Sequence, residues 1–208
     1  MSDTIETFGV NGLTVEITPD LDPESPREWD NNGIMVCFHR RYDLGDKTDL
    51  QSSDFESWQE VAEYLGREEK AICIMPLYLY DHSGLRIKAG SFNGLLPQGH
   101  AEFDSGQVGF IYTSLEQLNK GGHSFTEITP EQMEQIQGWL TGEVETYDNY
   151  LSGNVFGFSI QDKNGEIIDS CYGFYGLEHC IEEAKWQAEY LADNRINGMP
   201  IDQLQLAF

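Results

Sequence analysis

Short apolar runs along the chain predict β-strands joined by tight turns. The segments IETFGV (5–10) and LTVEIT (13–18) flank Asn11-Gly12, and a second pair of apolar runs flanks Asn164-Gly165. Asn-Gly between two such runs favours a two-residue hairpin, because both turn residues must adopt positive φ. Further strand-like runs occupy residues 33–40, 71–80, 85–90 and 107–113.

Three segments follow the 3.6-residue period of amphipathic helices. They cover residues 54–66, 130–151 and 177–194. Thr129 followed by Pro130 supplies an N-cap and a proline at the first helical position of the second helix. The pattern therefore predicts an α+β fold, with a mostly antiparallel sheet packed against about three helices.

Two irregular stretches divide this pattern. Residues 19–32 contain three prolines and five acids, and residues 90–106 show no period, so both predict loops. The length of 208 residues fits one domain or a domain with an appendage. We expect residues 71–208 to form the main α+β domain, and residues 1–70 are the candidate for a separate subdomain.

The net charge of the chain says more about its function than its length does. The chain has 36 acidic and 12 basic residues, for a net charge of −24 and a pI near 4.2. Such a charge repels nucleic acid and anionic membranes and attracts basic proteins. Direct binding of DNA is therefore the function that the composition most strongly disfavours.

The four cysteines, Cys37, Cys73, Cys171 and Cys180, contain no CxxC pair, which disfavours a zinc site. No basic-then-apolar leader begins the chain, and the longest apolar run, residues 71–80, is about half a membrane span. We therefore expect a cytoplasmic protein with reduced thiols, no membrane contact and neither a metal nor a cofactor.

The acids concentrate on the predicted outer faces of the helices. In the second helix the expected buried stripe is Met133, Ile136, Leu140, Val144, Tyr147 and Leu151, and the acids facing away from it are Glu131, Glu134, Glu145 and Asp148. In the third helix the expected buried stripe is Leu177, Ile181, Ala184, Ala188 and Leu191, and the outer face carries Glu182, Trp186, Glu189 and Asp193. Almost none of these acids has a Lys or Arg four residues farther along the helix that could neutralise its charge.

Rows of carboxylates can imitate the phosphate backbone and occupy a DNA-binding groove. We interpret these faces, together with Asp20, Asp22 and Glu24 of the acidic stretch, as a surface for a basic protein partner. Trp186 favours an interface, since aromatic residues often anchor one. Packing of Trp186 against a loop, and acidity that serves only solubility, remain alternatives.

A different interpretation is a small hydrolase or transferase. Three turns, Asp81-His82-Ser83-Gly84, Asp104-Ser105-Gly106 and Asp169-Ser170-Cys171, carry suitable residue types, but these must converge within hydrogen-bond reach. Asp, Ser and Gly are also ordinary turn residues, which is the favoured explanation. The basic cluster His39-Arg40-Arg41 is interpreted as neutralising a neighbouring acidic loop rather than binding phosphate.

Four strings resemble a family of small acidic proteins of bacteriophages and mobile genetic elements: PLYLYDHSG (76–84), FDSGQVGFIYTS (103–114), GEVETYDNYLSGNVFGFSI (142–160) and DSCYGFYG (169–176). The likeness covers about residues 70–190 and carries over no catalytic residues. It implies an accessory protein that blunts host defence. We therefore expect a non-enzymatic inhibitor that binds the nucleic-acid groove of a host restriction or CRISPR-type protein, or another basic host factor.

Overall fold

The fold is known from a computed structural model that describes residues 4–82, 84–92 and 104–196. Within these residues the chain forms two antiparallel sheets of four strands each, packed with α-helices. The predicted α+β class with antiparallel pairing is confirmed. The chain divides into two compact units, which we call the terminal unit (the described residues up to Glu24 and from Gly153) and the central unit (Ser25–Ser152).

The sheet of the terminal unit has the order β1-β2-β7-β8, formed by Glu6–Val10, Leu13–Pro19, Val155–Gln161 and Ile167–Tyr175. Asn11 and Gly12 adopt positive φ, 46° and 85°, between β1 and β2. Gly165 does the same, at 80°, between β7 and β8. Both predicted strand pairings are therefore confirmed, but only the first has the predicted two-residue turn: Asn164 does not adopt positive φ, and residues 162–166 connect β7 to β8.

Helix α4 (Leu177–Ile196) packs on this sheet. The predicted stripe of the helix lies against the apolar residues of β2 and β7: Ala184, Ala188 and Leu191 are buried, while Leu177 and Ile181 are partly buried. The small alanines let the helix lie close to the sheet, so that even Cys180 is fully buried.

The terminal unit joins residues that are far apart in the sequence. Strand β2 pairs with β7, from Thr14 opposite Gln161 to Pro19 opposite Phe156. The first hairpin therefore belongs to the same sheet as the second. The chain passes from one unit to the other after Glu24 and after Ser152.

The sheet of the central unit has the order β3-β6-β4-β5, formed by Ile34–Cys37, Ser105–Ser114, Ala71–Asp81 and Leu85–Ala89. Helix α1 (Trp58–Arg67) packs on this sheet with Val61 and Leu65 against Val36 and Phe110. A separate cluster joins the sheet to the long helix α3 (Pro130–Leu151).

Helix α3 has the predicted bounds, and Thr129 and Gln132 cap it reciprocally. Its Ile136, Leu140, Val144 and Tyr147 are buried, while Met133 and Leu151 are partly buried, in agreement with the predicted stripe. The first helix was predicted too early: α1 begins after Ser57, whose hydroxyl caps it, and runs through Gly66. Helix α2 (Leu115–Lys120) was not predicted.

The acidic stretch 19–32 is irregular, as expected, apart from Pro19, which ends β2, and a 3-10 turn at Pro26–Glu28. No helix in the described part of the chain is both long enough and apolar enough to cross a membrane. Ser83 and most of the predicted loop 90–106 lie outside the described residues.

Candidate functional site

The outer face of α4 carries carboxylates around an exposed aromatic pair. Trp186 is 61% exposed and Tyr190 37%, and their rings stack with centres 5.9 Å apart and planes 14° apart. Trp186 therefore packs against its neighbour on the helix and stays open to solvent. The surrounding acids are all exposed, and with the two rings they make up what we call the α4 face: Glu178, Glu182, Trp186, Glu189, Tyr190 and Asp193.

The charge of the α4 face has little local compensation. Between residues 177 and 193 the only lysine or arginine is Lys185. Its ammonium lies 5.4 Å from the centre of the Phe8 ring on β1, a cation–π contact. His179 lies 3.9 Å from Glu183, which is outside the α4 face. The α4 face therefore keeps its negative charge.

On α3, three of the four predicted outward acids, Glu131, Glu134 and Glu145, are exposed. The prediction that Asp148 also faces outward is wrong. Its carboxylate accepts hydrogen bonds from Nη2 of Arg86 at 2.7 Å and from the N–H of Ile87 at 2.8 Å, and its side chain is only 13% exposed. Asp148 therefore links α3 to β5 and is not a free surface charge.

A second acid of α3, Glu143, belongs to a buried ionic network that the sequence patterns did not reveal. The Arg27 side chain, 5% exposed, donates from Nε and Nη2 to the two carboxylate oxygens of Asp46 at 3.1 and 2.7 Å. It also donates from Nη1 to Glu143 at 3.2 Å and from Nη2 to the carbonyl of Gly33 at 2.7 Å. One guanidinium thus joins three separate segments of the central unit.

Backbone donors complete the network. Glu143 accepts from the N–H groups of Asn32 at 2.7 Å and Gly33 at 3.1 Å, and Asp46 accepts from that of Met35 at 2.7 Å. Burial raises the pKa of Glu143, and Arg27 with the backbone donors offsets this only in part. Burial lowers the pKa of Arg27, but Asp46 and Glu143 outweigh it and raise the pKa above its usual value. Arg27 is the only basic residue of the stretch 19–32, a sequence signal that points to this role.

The three acids predicted to bind a partner from the acidic stretch differ in their surroundings. The Asp20 carboxylate accepts the N–H of Asp22 at 3.1 Å, and Asp20 is half-buried, so this acid shapes the turn. Asp22 and Glu24 are exposed. The Tyr175 hydroxyl donates to the Glu24 carbonyl and anchors the stretch to β8.

Two of the three hydrolase-like segments come together in the central unit, where Asp81 ends β4 and Ser105-Gly106 begin β6, so that Asp104-Ser105-Gly106 is not a turn. The N–H of Asp81 donates to the carbonyl of Asp104 at 3.1 Å. The Asp81 carboxylate contacts the Arg41 guanidinium and accepts from the Tyr42 hydroxyl at 3.5 Å. The ring of His82 stacks on that of Tyr80, with centres 6.1 Å apart.

The third segment, Asp169-Ser170-Cys171, lies in the terminal unit and inside β8, so it is not a turn. The Asp169 carboxylate accepts from Nε2 of Gln187 on α4 at 2.6 Å and from the Ser170 N–H at 2.8 Å. These bonds fix the edge strand against the helix, which gives Asp169 a structural role.

A cleft of about 550 Å³ lies where β3 ends, and His39, Arg40, Arg41, Asp81, Asp104 and Ser105 are among its lining residues. Arg41 pairs with Asp81 at the end of β4. Arg41 therefore neutralises an acid at the end of β4, whereas Asp46, which is nearer in the sequence, is bound by Arg27.

All four cysteines are free thiols, and only Cys171 is exposed. Burial raises the pKa of Cys37 and of Cys180 to about 12 and also raises that of Cys73.

Only a thiolate attacks a disulfide reagent. With an aromatic disulfide at mildly alkaline pH, we expect one thiol of the folded protein to react quickly and the other three to react only on unfolding. Cys171→Ser should remove the fast phase, and a fast phase that survives this substitution would contradict the assignment.

Comparison of the chain with the models of known protein families, with curated proteins and with solved structures gave no match. Within the described ranges, no group of three or more His, Cys, Asp or Glu side chains is arranged to hold a metal ion.

Proposed function

We propose that the protein binds a basic protein partner through the α4 face and so occupies a surface with which that partner binds nucleic acid. The observation that carries the proposal is the exposed Trp186–Tyr190 stack inside a stripe of carboxylates. Large aromatic side chains left in solvent beside charged groups are typical of interaction sites, and Trp and Tyr often dominate the binding energy of interfaces.

The geometry of the stripe fits such a partner. Glu178, Glu182, Glu189 and Asp193 follow one side of the helix over about 22 Å, at 1.5 Å per residue. A groove that holds nucleic acid lines up Lys and Arg side chains along the path of the phosphates, so it is complementary to a line of carboxylates. Trp186 and Tyr190 add the apolar anchor that charge alone does not provide.

The class of partner follows from charge and from the phage-like resemblance. A net charge of −24 speeds association with a basic surface and opposes direct contact with nucleic acid or anionic membranes. The resemblance favours a host defence protein of the restriction or CRISPR type as the target, met in the host cytoplasm. Another basic host factor, such as a replication or transcription protein, is the alternative partner.

The test is capture from a bacterial host lysate on the immobilised protein at about 50 mM salt, followed by elution at about 500 mM salt. The proposal expects a nucleic-acid-binding protein that is retained at low salt and displaced by its own nucleic acid. Changing Glu182, Glu189 and Asp193 together to lysine should weaken its binding at least tenfold, since charge complementarity sets register and association rate. Trp186→Ala should weaken binding with little change in its salt dependence.

The matched control reverses three exposed acids of α3, Glu131, Glu134 and Glu145, which alters the net charge by the same amount. Loss of binding only in the α4 variant supports the proposal. Equal loss in both variants indicates attraction by net charge alone, and loss only in the α3 variant places the contact on α3; either outcome overturns the α4 assignment. A captured protein that binds no nucleic acid overturns the inhibitor role in favour of another basic factor.

A further inference from the structure

The cleft at the end of β3 gathers basic side chains in a chain that has few of them. His39, Arg40 and Arg41 are consecutive and all line it, although the chain has only 12 Lys and Arg against 36 acids. The cleft lies in the central unit, and its interpretation is independent of the α4 face.

The cleft arises because β3 is shorter than its neighbour. Residues Ile34–Cys37 pair with Tyr112–Gly109, whereas β6 begins at Ser105. The N–H of Phe38 still donates to the carbonyl of Val108 at 2.7 Å, and the chain then leaves the sheet. The three basic residues and the first residues of β6 line the cleft, together with Leu79 and Asp81 of β4. A volume of about 550 Å³ lies within the usual range for small-molecule sites, roughly 300–1,000 Å³.

Two of the basic groups are held in place. The Arg41 guanidinium contacts Asp81 and lies 5.3 Å from the centre of the Tyr42 ring, yet its side chain remains 67% exposed, so it has N–H donors to spare. The His39 ring stacks on Tyr42 with centres 5.0 Å apart. Its Nδ1 accepts the N–H of Arg41 at 3.4 Å, which leaves Nε2–H as the donor of the neutral ring.

Arg40 differs from the other arginines whose side chains are described. Arg27, Arg41, Arg67 and Arg86 each form an ion pair with a carboxylate. Within the described part of the chain, Arg40 makes no hydrogen bond or ion pair, although acids outnumber basic residues threefold. An unpaired guanidinium at the wall of a cleft is available to a ligand.

We propose that this cleft binds a small phosphate monoester, with the phosphate held by Arg40, Arg41 and His39 and the organic group in the cleft. Guanidinium groups match the oxygens of phosphate with paired N–H donors, and an imidazole N–H adds a further donor. Asp81 is already matched by Arg41. The many acids farther away act weakly, because charges beyond about 8 Å are screened at physiological salt.

The experiment is calorimetric titration of the full chain with inorganic phosphate, adenosine monophosphate, glucose 6-phosphate and adenosine. We expect at least one monoester to bind more tightly than inorganic phosphate, and adenosine to show no binding. Which monoester binds more tightly distinguishes a nucleotide from a sugar phosphate. Arg40→Gln should weaken monoester binding at least tenfold, and because Arg40 is exposed the fold should be unaffected.

Two further variants separate the cleft from general basicity. Arg67→Gln removes an exposed arginine on α1 and should leave binding unchanged. Gly106 lines the cleft and pairs with Leu79, and a Cβ at Gly106 would meet no atom within 4 Å. Gly106→Leu should therefore fold normally, block monoester binding and spare inorganic phosphate. No binding of any monoester, equal effects of Arg40→Gln and Arg67→Gln, or no advantage of a monoester over inorganic phosphate would each overturn the proposal.

Discussion

Replacing Arg27 by alanine is expected to lower the free energy of unfolding of the central unit by about 3–5 kcal/mol, the usual cost of removing one partner from a buried ion pair. The substitution leaves Asp46 and Glu143 with no counter-charge in a site where the Arg27 side chain is only 5% exposed. It also removes a donor to the Gly33 carbonyl. Urea unfolding followed by tryptophan fluorescence measures the loss, since Trp29, Trp58 and Trp139 all lie in this unit.

The pH dependence of this loss distinguishes an electrostatic cause from lost packing. Because burial raises the pKa of Glu143 in the folded protein, protonating this residue favours folding, and its contribution falls as pH rises through the folded pKa. Without Arg27 the pKa of Glu143 should rise further. The destabilisation caused by Arg27→Ala should therefore shrink as the pH is lowered from neutrality.

Two further variants serve as controls for the loss expected in Arg27→Ala. Arg27→Lys keeps the charge but lacks the planar fork that spans both oxygens of Asp46, so an intermediate loss is expected. Arg67→Ala removes an exposed arginine paired with Glu68 and should leave unfolding almost unchanged. A loss below about 1 kcal/mol in Arg27→Ala, or one that does not vary with pH, would show that the network is not a major source of stability.

The sequence predicted the features of the fold that depend on local chemistry. Asn11-Gly12 has the backbone preference of a hairpin turn, and Thr129-Pro130 marks a helix start, so both were found in the predicted places. The apolar stripe of α4 was also predicted, because burial on one side of a helix leaves a 3.6-residue period. The long-range pairing of β2 with β7 leaves no such local trace, so the sequence did not indicate that the two hairpins share one sheet.

Long-range contacts also explain why two acids of α3 are not free surface charges. The i,i+4 rule searches for partners one turn away, whereas Asp148 is matched by Arg86, 62 residues distant, and Glu143 by Arg27, 116 residues distant. An acidic helix without local lysines is therefore not necessarily an uncompensated one. Of the faces expected to meet a basic partner, α3 loses Asp148 to this internal role, whereas every acid predicted on α4 remains exposed.

Because of this difference, we propose α4 rather than α3 as the contact with a basic partner. An acid such as Asp148, which links two elements, cannot turn to a partner without breaking that link and lowering stability. Within the described residues, Glu182, Glu189 and Asp193 are exposed and make no such link, and the aromatic pair lies among them. Of the outer faces of α3 and α4, the α4 face is the one that combines exposed acids with an exposed aromatic pair. Mutations on the α4 face should therefore change partner binding without changing stability.

The second large effect is expected at Gly33, where the chain enters β3 beneath α3. A Cβ added at this position would lie 2.5 Å from Cδ2 of Leu140 and 2.8 Å from Cδ1 of Ile111. Both neighbours are fully buried, so neither can move into solvent. Gly33→Ala should therefore cost about 1–3 kcal/mol through overpacking, and Leu140→Ala alone should cost about 2–5 kcal/mol through the cavity that it leaves.

The double variant should be less destabilised than the sum of the two by about 1–2 kcal/mol, because the methyl group added by Gly33→Ala enters space that Leu140 vacates. The relief should be incomplete, since the clash with Ile111 remains. Leu77→Ala provides the control: Leu77 is equally buried, but it is not among the atoms nearest to Gly33, so its combination with Gly33→Ala should be additive. Urea unfolding of all five variants measures both couplings. Equal additivity in the two cycles would contradict this account, because it would show that the methyl group added at Gly33 does not compete with Leu140 for space.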